Sequence, residues 1–250
     1  MKSLVIVPVY NERSYIESVI QRLKKYHDDI LVVDDGSTDG TCEILQELEG
    51  RFGIVHIDHG VNMGYGKTLI DGFDYARAHG YDAVVTMDAD EQHEPCYVVD
   101  LLKALPAWDI VSCSRYMQGG DVVGFVSPER RAVNAEITAS INRITGYTIT
   151  DAFCGLKAYR VDGLAKLRLT ETGYGMPLQL WIQAARAGLR VSEMPVCVKY
   201  VDPNRSFGEA LDDAERRLRY YRRVIQNEVD NAEALAGRET GSCRCSCCCR

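Results

Sequence analysis

From Ser3 to Cys113 the chain alternates short apolar runs with segments of helical period, and three of the runs end in polar clusters rich in carboxylates. The runs Ser3–Pro8, Ile30–Val33, Gly53–Ile57, Ala83–Met87 and Ile110–Cys113 have the length and apolar content of buried strands. Between them, Ile16, Val19, Ile20 and Leu23 fall on one helix face; so do Thr41, Leu45 and Leu48, then Leu69, Phe73 and Ala76, then Val98, Leu101, Leu102 and Leu105. This alternation predicts an α/β fold: a mostly parallel central sheet with helices on both faces. Ligands of such sheets bind beyond the carboxyl ends of the strands. Those ends carry Tyr10-Asn11-Glu12, Asp34-Asp35-Gly36-Ser37 and Asp88-Ala89-Asp90, so one crevice collects several carboxylates. Ser37 or Thr38 is expected to cap the helix that follows.

The second half is less regular. Tyr116–Glu129 reads as a long glycine-containing loop, and Val133, Ile137, Ser140, Ile141 and Ile144 as one helix face that fits core packing or a membrane interface equally. An irregular segment runs through Gly155, followed by a helix near Leu178–Ala187 with Trp181 in the core, a strand near Val191–Tyr200 and a long helix from about Glu209. That helix carries Arg216, Arg217, Arg219, Arg222 and Arg223; Asp212, Asp213 and Glu215 each precede one of them by four residues, which favours a solvated face over a surface for lipid headgroups. Its seam of Leu211, Ala214, Leu218, Tyr221 and Ile225 is expected to dock on the domain. The chain thus divides into an α/β domain over 1–207, a C-terminal helix over 208–236 and a disordered, cysteine-rich tail over 237–250.

Ten cysteines are present, five of them in the last eight residues. Cys42, Cys96, Cys113, Cys154 and Cys197 are scattered singly and are expected to act as small buried hydrophobes, not as a disulfide frame. The tail thiols fit metal capture, acylation or an unselected low-complexity end, the last being favoured. The net charge of -7 argues against nucleic-acid binding. The apolar run Leu4–Val9 is too short for a signal peptide and contains Pro8, and no apolar stretch reaches membrane-spanning length. A cytoplasmic location, peripheral at the inner membrane face, is the expectation.

Asp88 and Asp90, one residue apart at the end of a buried strand, can both reach one hard cation, Mg²⁺ or Mn²⁺, and Gln92 can add a neutral oxygen. Asp34 or Asp35, and Glu12, can accept hydrogen bonds from a base or ribose. Asn62–Lys67 is a glycine turn opening a helix, equally suited to a tight turn and to a backbone approach to phosphate. Neither GxxxxGK[ST] nor a GxGxxG after the first strand occurs. His56, His59, His79 and His93 lack metal-ligand spacing, and His93 is expected to stand behind the metal motif.

Val7-Pro8-Val9-Tyr10-Asn11-Glu12, Val33-Asp34-Asp35-Gly36-Ser37-Thr38-Asp39-Gly40-Thr41, Asn62-Met63-Gly64 and Met87-Asp88-Ala89-Asp90-Glu91-Gln92-His93, in this order, resemble the family 2 glycosyltransferases. The subgroup that acts on polyprenyl phosphates, dolichol-phosphate mannose synthases included, is the most similar, over about residues 3–207. The resemblance implies a GT-A fold, a GDP- or UDP-linked nucleotide-sugar donor, a divalent metal and inversion at the anomeric carbon. It implies that Pro8, Tyr10, Glu12 and Asp35, with Asp34, contact the nucleotide and that Asp88, Asp90 and Gln92 hold the metal against the diphosphate. It further implies that Arg115 meets phosphate and that Arg130 or Arg131 plays a similar part toward the acceptor. Thr150-Asp151-Ala152-Phe153-Cys154-Gly155 is similar to a Thr-Asp-x-x-Ser-Gly segment on the acceptor side, and Asn204-Arg205-Ser206 loosely resembles a late Arg-x-x-x-Ser element. Two departures stand out. Gln179 occupies a position where the subgroup carries glutamate, and Gln183-Ala184-Ala185-Arg186 is followed by Ala187 where processive synthases carry tryptophan.

The expected reaction is displacement of a nucleoside diphosphate, with Arg115 and Lys67 assisting the departing charge. A polyprenyl phosphate acceptor is already ionised and needs no base. A hydroxyl of a small molecule, glycan or protein, the alternative acceptor, needs one, and Asp151 is then the candidate. A non-catalytic nucleotide-sugar-binding relative is the alternative of another class; Asp88, Asp90 and Asp151 speak against it.

Overall fold

Strands and helices form where the apolar periodicity places them through the first half of the chain. The computed structural model describes residues 1–200 and 209–241, with side chains described for 1–200 and 211–231. β1 (Ser3–Val9), α1 (Ile16–Leu23), β2 (Ile30–Asp34), α2 (Thr41–Phe52), β3 (Val55–Asp58), α3 (Tyr65–Ala78), β4 (Ala83–Thr86), α4 (Tyr97–Ala104) and β5 (Ile110–Ser114) alternate as expected. They are followed by β6 (Asp121–Gly124), α5 (Pro128–Thr145), β7 (Lys157–Arg160), α6 (Val161–Leu164), α7 (Met176–Arg186), β8 (Val191–Pro195), β9 (Cys197–Tyr200), α8 (Glu209–Asp212) and α9 (Ala214–Gly241).

Seven strands form one sheet in the order β3-β2-β1-β4-β7-β5-β8, parallel except for β7, which runs antiparallel to β4 and β5. Alternate residues of each strand face opposite sides of a sheet. Leu4, Ile6, Leu31, Val33 and Val84 therefore join α3, α5, α7 and α9 in one apolar layer, with Trp181 fully buried in it. Val5, Val7, Val9, Ile30, Val32 and Val85 join α1, α2 and α4 in the other. The apolar face of α5 (Val133, Ile137, Ile141) lies in the first layer, so that helix packs as core. The α9 seam docks on the domain as well, with Tyr221, Val224 and Ile225 buried. No helix among the described residues is long and apolar enough to cross a membrane.

Several local expectations are corrected. Ser37 does not cap α2. Its hydroxyl is committed to Asp34, and the helix begins four residues later, where Asp39 Oδ1 accepts from the Thr41 amide and hydroxyl. The segment Tyr116–Glu129 is not all loop, because β6 lies within it and pairs with β9. Val191–Tyr200 is two strands in two sheets: β8 extends the main sheet beside β5, and after Val196 the chain passes to β6. β7 lies hidden in Lys157-Ala158-Tyr159-Arg160, whose two cations mask a strand with Lys157 only 2% exposed. Of the scattered cysteines, Cys113 and Cys154 are buried, Cys42 and Cys197 half-buried and Cys96 exposed, so the hydrophobe reading fails at Cys96.

Candidate active site

A cavity of about 640 Å³ opens beyond the carboxyl ends of β1, β2 and β4. The half of the sheet formed by these strands supplies its acidic wall: Glu12, Asp35, Asp88 and Asp90. The half beyond β7 supplies the basic wall, with Arg115 after β5, Arg130 in the first turn of α5 and Arg217 on α9.

Pro8, Tyr10 and Glu12 all line the cavity, as does Asp35. Asp35 accepts from the Met63 and Gly64 amides, each at 2.8 Å, and meets His59 Nδ1 at 2.9 Å, so it also ties the 59–64 turn to the end of β2. That turn is built for packing: a Cβ on Gly64 would come within 2.4 Å of the Thr172 carbonyl oxygen, and one on Gly66 equally close to that of Glu171. Asp34 is a correction. Successive residues at a strand end face opposite sides, so Asp34 turns to the α1/α2 face with Val32; it is fully buried and outside the cavity. Lys67 is another. Its ammonium pairs with Asp71 one turn along α3, at 2.5 Å, and it does not line the cavity.

Asp88, Asp90 and Gln92 share the cavity wall. Tyr65 donates to Asp88 Oδ1 at 3.2 Å, and the Gln92 amide donates to Asp90 Oδ1 at 3.1 Å. A Cβ on Gly155 would fall 2.1 Å from Asp88 Oδ2, so only glycine leaves that carboxylate in place. Two carboxylates and an amide oxygen fit a hard divalent ion that keeps positions open for ligand oxygens. No closed set of three His, Cys, Asp or Glu ligands exists here among the described residues. His93 stands behind Asp88, with Nδ1 3.9 Å from Oδ2 and Nε2 3.8 Å from Cys154 Sγ. Burial disfavours its charge; Cys154 and the carboxylates of Asp88 and Asp90 outweigh that and push its pKa up to about 9.

On the basic wall Arg115 donates to Asp151 from Nε at 2.6 Å and from Nη2 at 2.8 Å, and to Tyr200 from Nη1 at 2.6 Å. A guanidinium has five N–H donors, so others remain for a ligand. Asp151 is fully buried and also accepts from Asn134 at 2.8 Å. Burial pushes its carboxyl up, but Arg115, Asn134 and backbone amides prevail and hold it below the usual carboxylate range. Asp151 is thus an anchor for Arg115, and the general-base expectation is corrected. Burial lowers the Lys157 ammonium; it lines the cavity and donates to the Cys154 carbonyl. Arg130 lines the cavity, whereas Arg131 lies over the Tyr116 ring, 5.4 Å from its centroid. Arg205 and Ser206 lie outside the described residues.

Sequence reasoning missed Tyr65, Asn134, Lys157 and Tyr200. It also read Arg217 as part of a solvated face, although that residue is 4% exposed and donates to the Leu211 carbonyl. Only Lys157 carried a signal, as a lysine between apolar neighbours.

The Gln179 departure has a structural partner. Its Oε1 accepts from the Thr170 and Glu171 amides at 2.7 and 2.8 Å, and its Nε2 donates to Glu228 Oε2 at 2.8 Å, clamping α7 to α9. A glutamate there would set two buried carboxylates against each other. Gln179→Glu is expected to lower stability by about 2–3 kcal/mol near neutral pH, the scale of a lost hydrogen bond to a charged group. Adding Glu228→Gln should restore most of the loss, and denaturant unfolding of the single and double variants measures both effects.

The model of glycosyl transferase family 2 matches residues 4–168. An undecaprenyl-phosphate mannosyltransferase of Micrococcus luteus is 34% identical over 203 residues, 78% of this chain and 83% of its own length. A polyprenol monophosphomannose synthase of Mycolicibacterium smegmatis is 36% identical over 206 residues, 78% and 76% of the two chains. The structure of glucosyl-3-phosphoglycerate synthase from Mycobacterium tuberculosis with Mg²⁺ and UDP superposes with a TM-score of 0.69 at 22% identity, covering 91% of this chain and 79% of that one. A mannosyltransferase from Pyrobaculum calidifontis in complex with GDP-Man and Mn²⁺ gives 0.56 at 20% identity, covering 96% and 79%. At these identities the two structures speak for the fold alone.

Proposed function

The chain belongs to glycosyl transferase family 2, a glycosyltransferase with a GT-A fold that uses nucleotide sugars, and from this premise we propose that it transfers a sugar from a GDP- or UDP-linked donor to a polyprenyl phosphate, with inversion and with Mg²⁺ or Mn²⁺. The carrying observation is the division of one cavity into an acidic and a basic wall. Among the described residues that line it, the carboxylates are Glu12, Asp35, Asp88 and Asp90, all on the β1–β2–β4 side. Among the described residues, no carboxylate lining the cavity stands beside Arg115, Arg130 and Arg217 to take a proton. A hydroxyl acceptor would need such a base; a phosphate arrives ionised and suits guanidinium groups. The relatives named for undecaprenyl phosphate and polyprenol acceptors support the same reading.

Asp88, Asp90 and Gln92 would hold the ion, which when bound supplies Lewis-acid neutralisation of the diphosphate. Tyr65 and the bare Gly155 fix Asp88. Tyr10 and Glu12 receive the nucleotide, with Asp35 holding the 59–64 turn against it. Asp151 and Asn134 hold Arg115, which with Arg130 and Arg217 orients the acceptor phosphate for attack from the opposite side. Holding reactants in line is worth large factors, and misplacement by about 1 Å can cost about 100-fold. Gly155→Ala is accordingly expected to lower kcat by about 100-fold with little change in fold, measured by initial rates and circular dichroism.

The reading is tested by incubating the protein with GDP- and UDP-linked labelled sugars, Mn²⁺ and a polyprenyl phosphate. One donor should yield labelled glycolipid with inverted anomeric configuration. No transfer from any donor, or label found only in water-soluble product, would overturn it.

A further inference from the structure

We propose that Asp34, Cys42 and His56 form a second cation site, for a thiophilic divalent ion of the Zn²⁺ type, on the face of the sheet covered by α2. The site goes beyond sugar transfer and shares no residue with the Asp88–Asp90–Gln92 set. Three elements build it. The β2–β3 register sets Asp34 beside Asp58, and His56, two residues earlier on β3, faces the same side; Cys42 lies in the first turn of α2. One ligand atom from each of Asp34, Cys42 and His56 lies within 4.8 Å of the other two.

Two unsatisfied atoms point to a missing ligand. Asp34 is fully buried; its Oδ1 accepts from the Ser37 amide and hydroxyl, but its Oδ2 has no hydrogen-bond partner. His56 Nε2 is likewise buried without one. Buried polar atoms are rarely left so, because each costs its lost hydration, and a cation between them satisfies both. The Cys42 thiol lies 3.8 Å from Asp58 Oδ2, which is not one of the three mutually close ligands, and 3.7 Å from Gln46 Nε2.

The donor atoms select the ion. One sulfur, one imidazole nitrogen and carboxylate oxygen suit Zn²⁺, whereas Mg²⁺ prefers oxygen alone. Ligand atoms of a tetrahedral zinc centre sit about 3–4 Å apart, given bonds of about 2.0–2.3 Å, so small side-chain rotations complete the site. On binding, the S–H bond of Cys42 breaks, its proton leaves to solvent and the sulfur keeps the electron pair for the metal. The ion would tie β2, β3 and α2 together at the strand end that carries Asp35. Through Asp34 and Ser37, whose hydroxyl accepts from the Asn11 amide at 2.8 Å, it would also brace the turn that holds Tyr10 and Glu12. Spacing along the chain hides these ligands because each comes from a different element.

Co²⁺ is the probe, since its bond to a thiolate produces a charge-transfer absorption that oxygen ligands do not. The full-length chain carrying Cys243→Ser, Cys245→Ser, Cys247→Ser, Cys248→Ser and Cys249→Ser, so that tail thiols do not compete, is titrated with Co²⁺ and then with Zn²⁺ or Mg²⁺. The expected result is a thiolate–cobalt band saturating at one ion per chain, displaced by Zn²⁺ and not by Mg²⁺. The band should need at least tenfold more Co²⁺ in Cys42→Ser and in His56→Ala, and be unchanged in Asp90→Ala. Zn²⁺ should also raise the melting temperature of the parent chain and not that of Cys42→Ser, a comparison that holds if the variants' metal-free stability differs. No band, or a band of equal strength in Cys42→Ser, overturns the proposal.

Discussion

Asp90→Ala is expected to lower sugar transfer by about 1,000-fold or more while the protein stays folded. Asp90 is 8% exposed on the acidic wall beside Asp88 and Gln92. With the methyl group of alanine there, the hard-oxygen set falls to one carboxylate and one amide, too few to hold a divalent ion against water. A metal's charge neutralisation in such displacements is worth several kcal/mol, and about 4 kcal/mol corresponds to about three powers of ten in rate. The fold should persist, because removing one member of a group of like charges relieves repulsion in the ligand-free protein. Initial rates at saturating donor measure the loss. Melting curves with Mn²⁺ and nucleotide provide the control: ligand raises the stability of a binding-competent native state by mass action, and that rise should vanish in Asp90→Ala. Retention of even a tenth of the rate would remove Asp90 from the metal site.

Asp151→Ala has the largest expected effect on stability. Arg115 is fixed by two bonds to this carboxylate, and its side chain is 14% exposed. Taking away one partner of a buried ion pair typically costs about 3–5 kcal/mol, because a desolvated charge is left behind. Asn134 loses its acceptor in the same step. Asp151→Asn keeps the shape and one acceptor and should cost less. The pH dependence has a definite sign. The folded carboxyl is held below its unfolded value, so its contribution is complete above the unfolded pKa of about 3.9. It fades as pH falls through the lower folded value. Wild type minus Asp151→Asn should therefore shrink only in acid, and urea unfolding across pH tests this. An Asp151 acting as general base would instead leave stability nearly unchanged in the asparagine variant.

The acidic half of the site was legible because its residues follow continuous strands: Glu12, Asp35, Asp88 and Asp90 each lie within three residues of the end of an apolar run. The choice between Asp34 and Asp35 was not, since it depends on which face of β2 meets α2, and that is settled by packing against Val32 and Val33. The basic half was legible only through the family resemblance, which points to Arg115 and Arg130; the groups that hold and join them were not, for a different reason. Arg115, Asp151, Asn134 and Tyr200 meet only once β5, α5 and β9 are assembled, and Arg217 reaches the cavity only because α9 docks. Charge pairs at i, i+4 are local and made that helix look solvated, yet Arg222 reaches across to Glu136 on α5 at 2.5 Å. β7 was masked by Lys157 and Arg160, a case where burial of a cation by neighbouring carbonyls overrides composition.

The central claim is that the basic wall selects an acceptor that is already ionised. The direct measurement offers polyprenyl phosphate and the matching polyprenol at equal concentration in the same detergent, with one labelled donor and Mn²⁺, and counts label in each lipid. Label is expected in the polyprenyl phosphate product alone, with transfer falling when Arg217→Ala is used. Comparable labelling of the polyprenol would contradict the claim, since a hydroxyl acceptor requires a base and no carboxylate lies on this wall among the described residues.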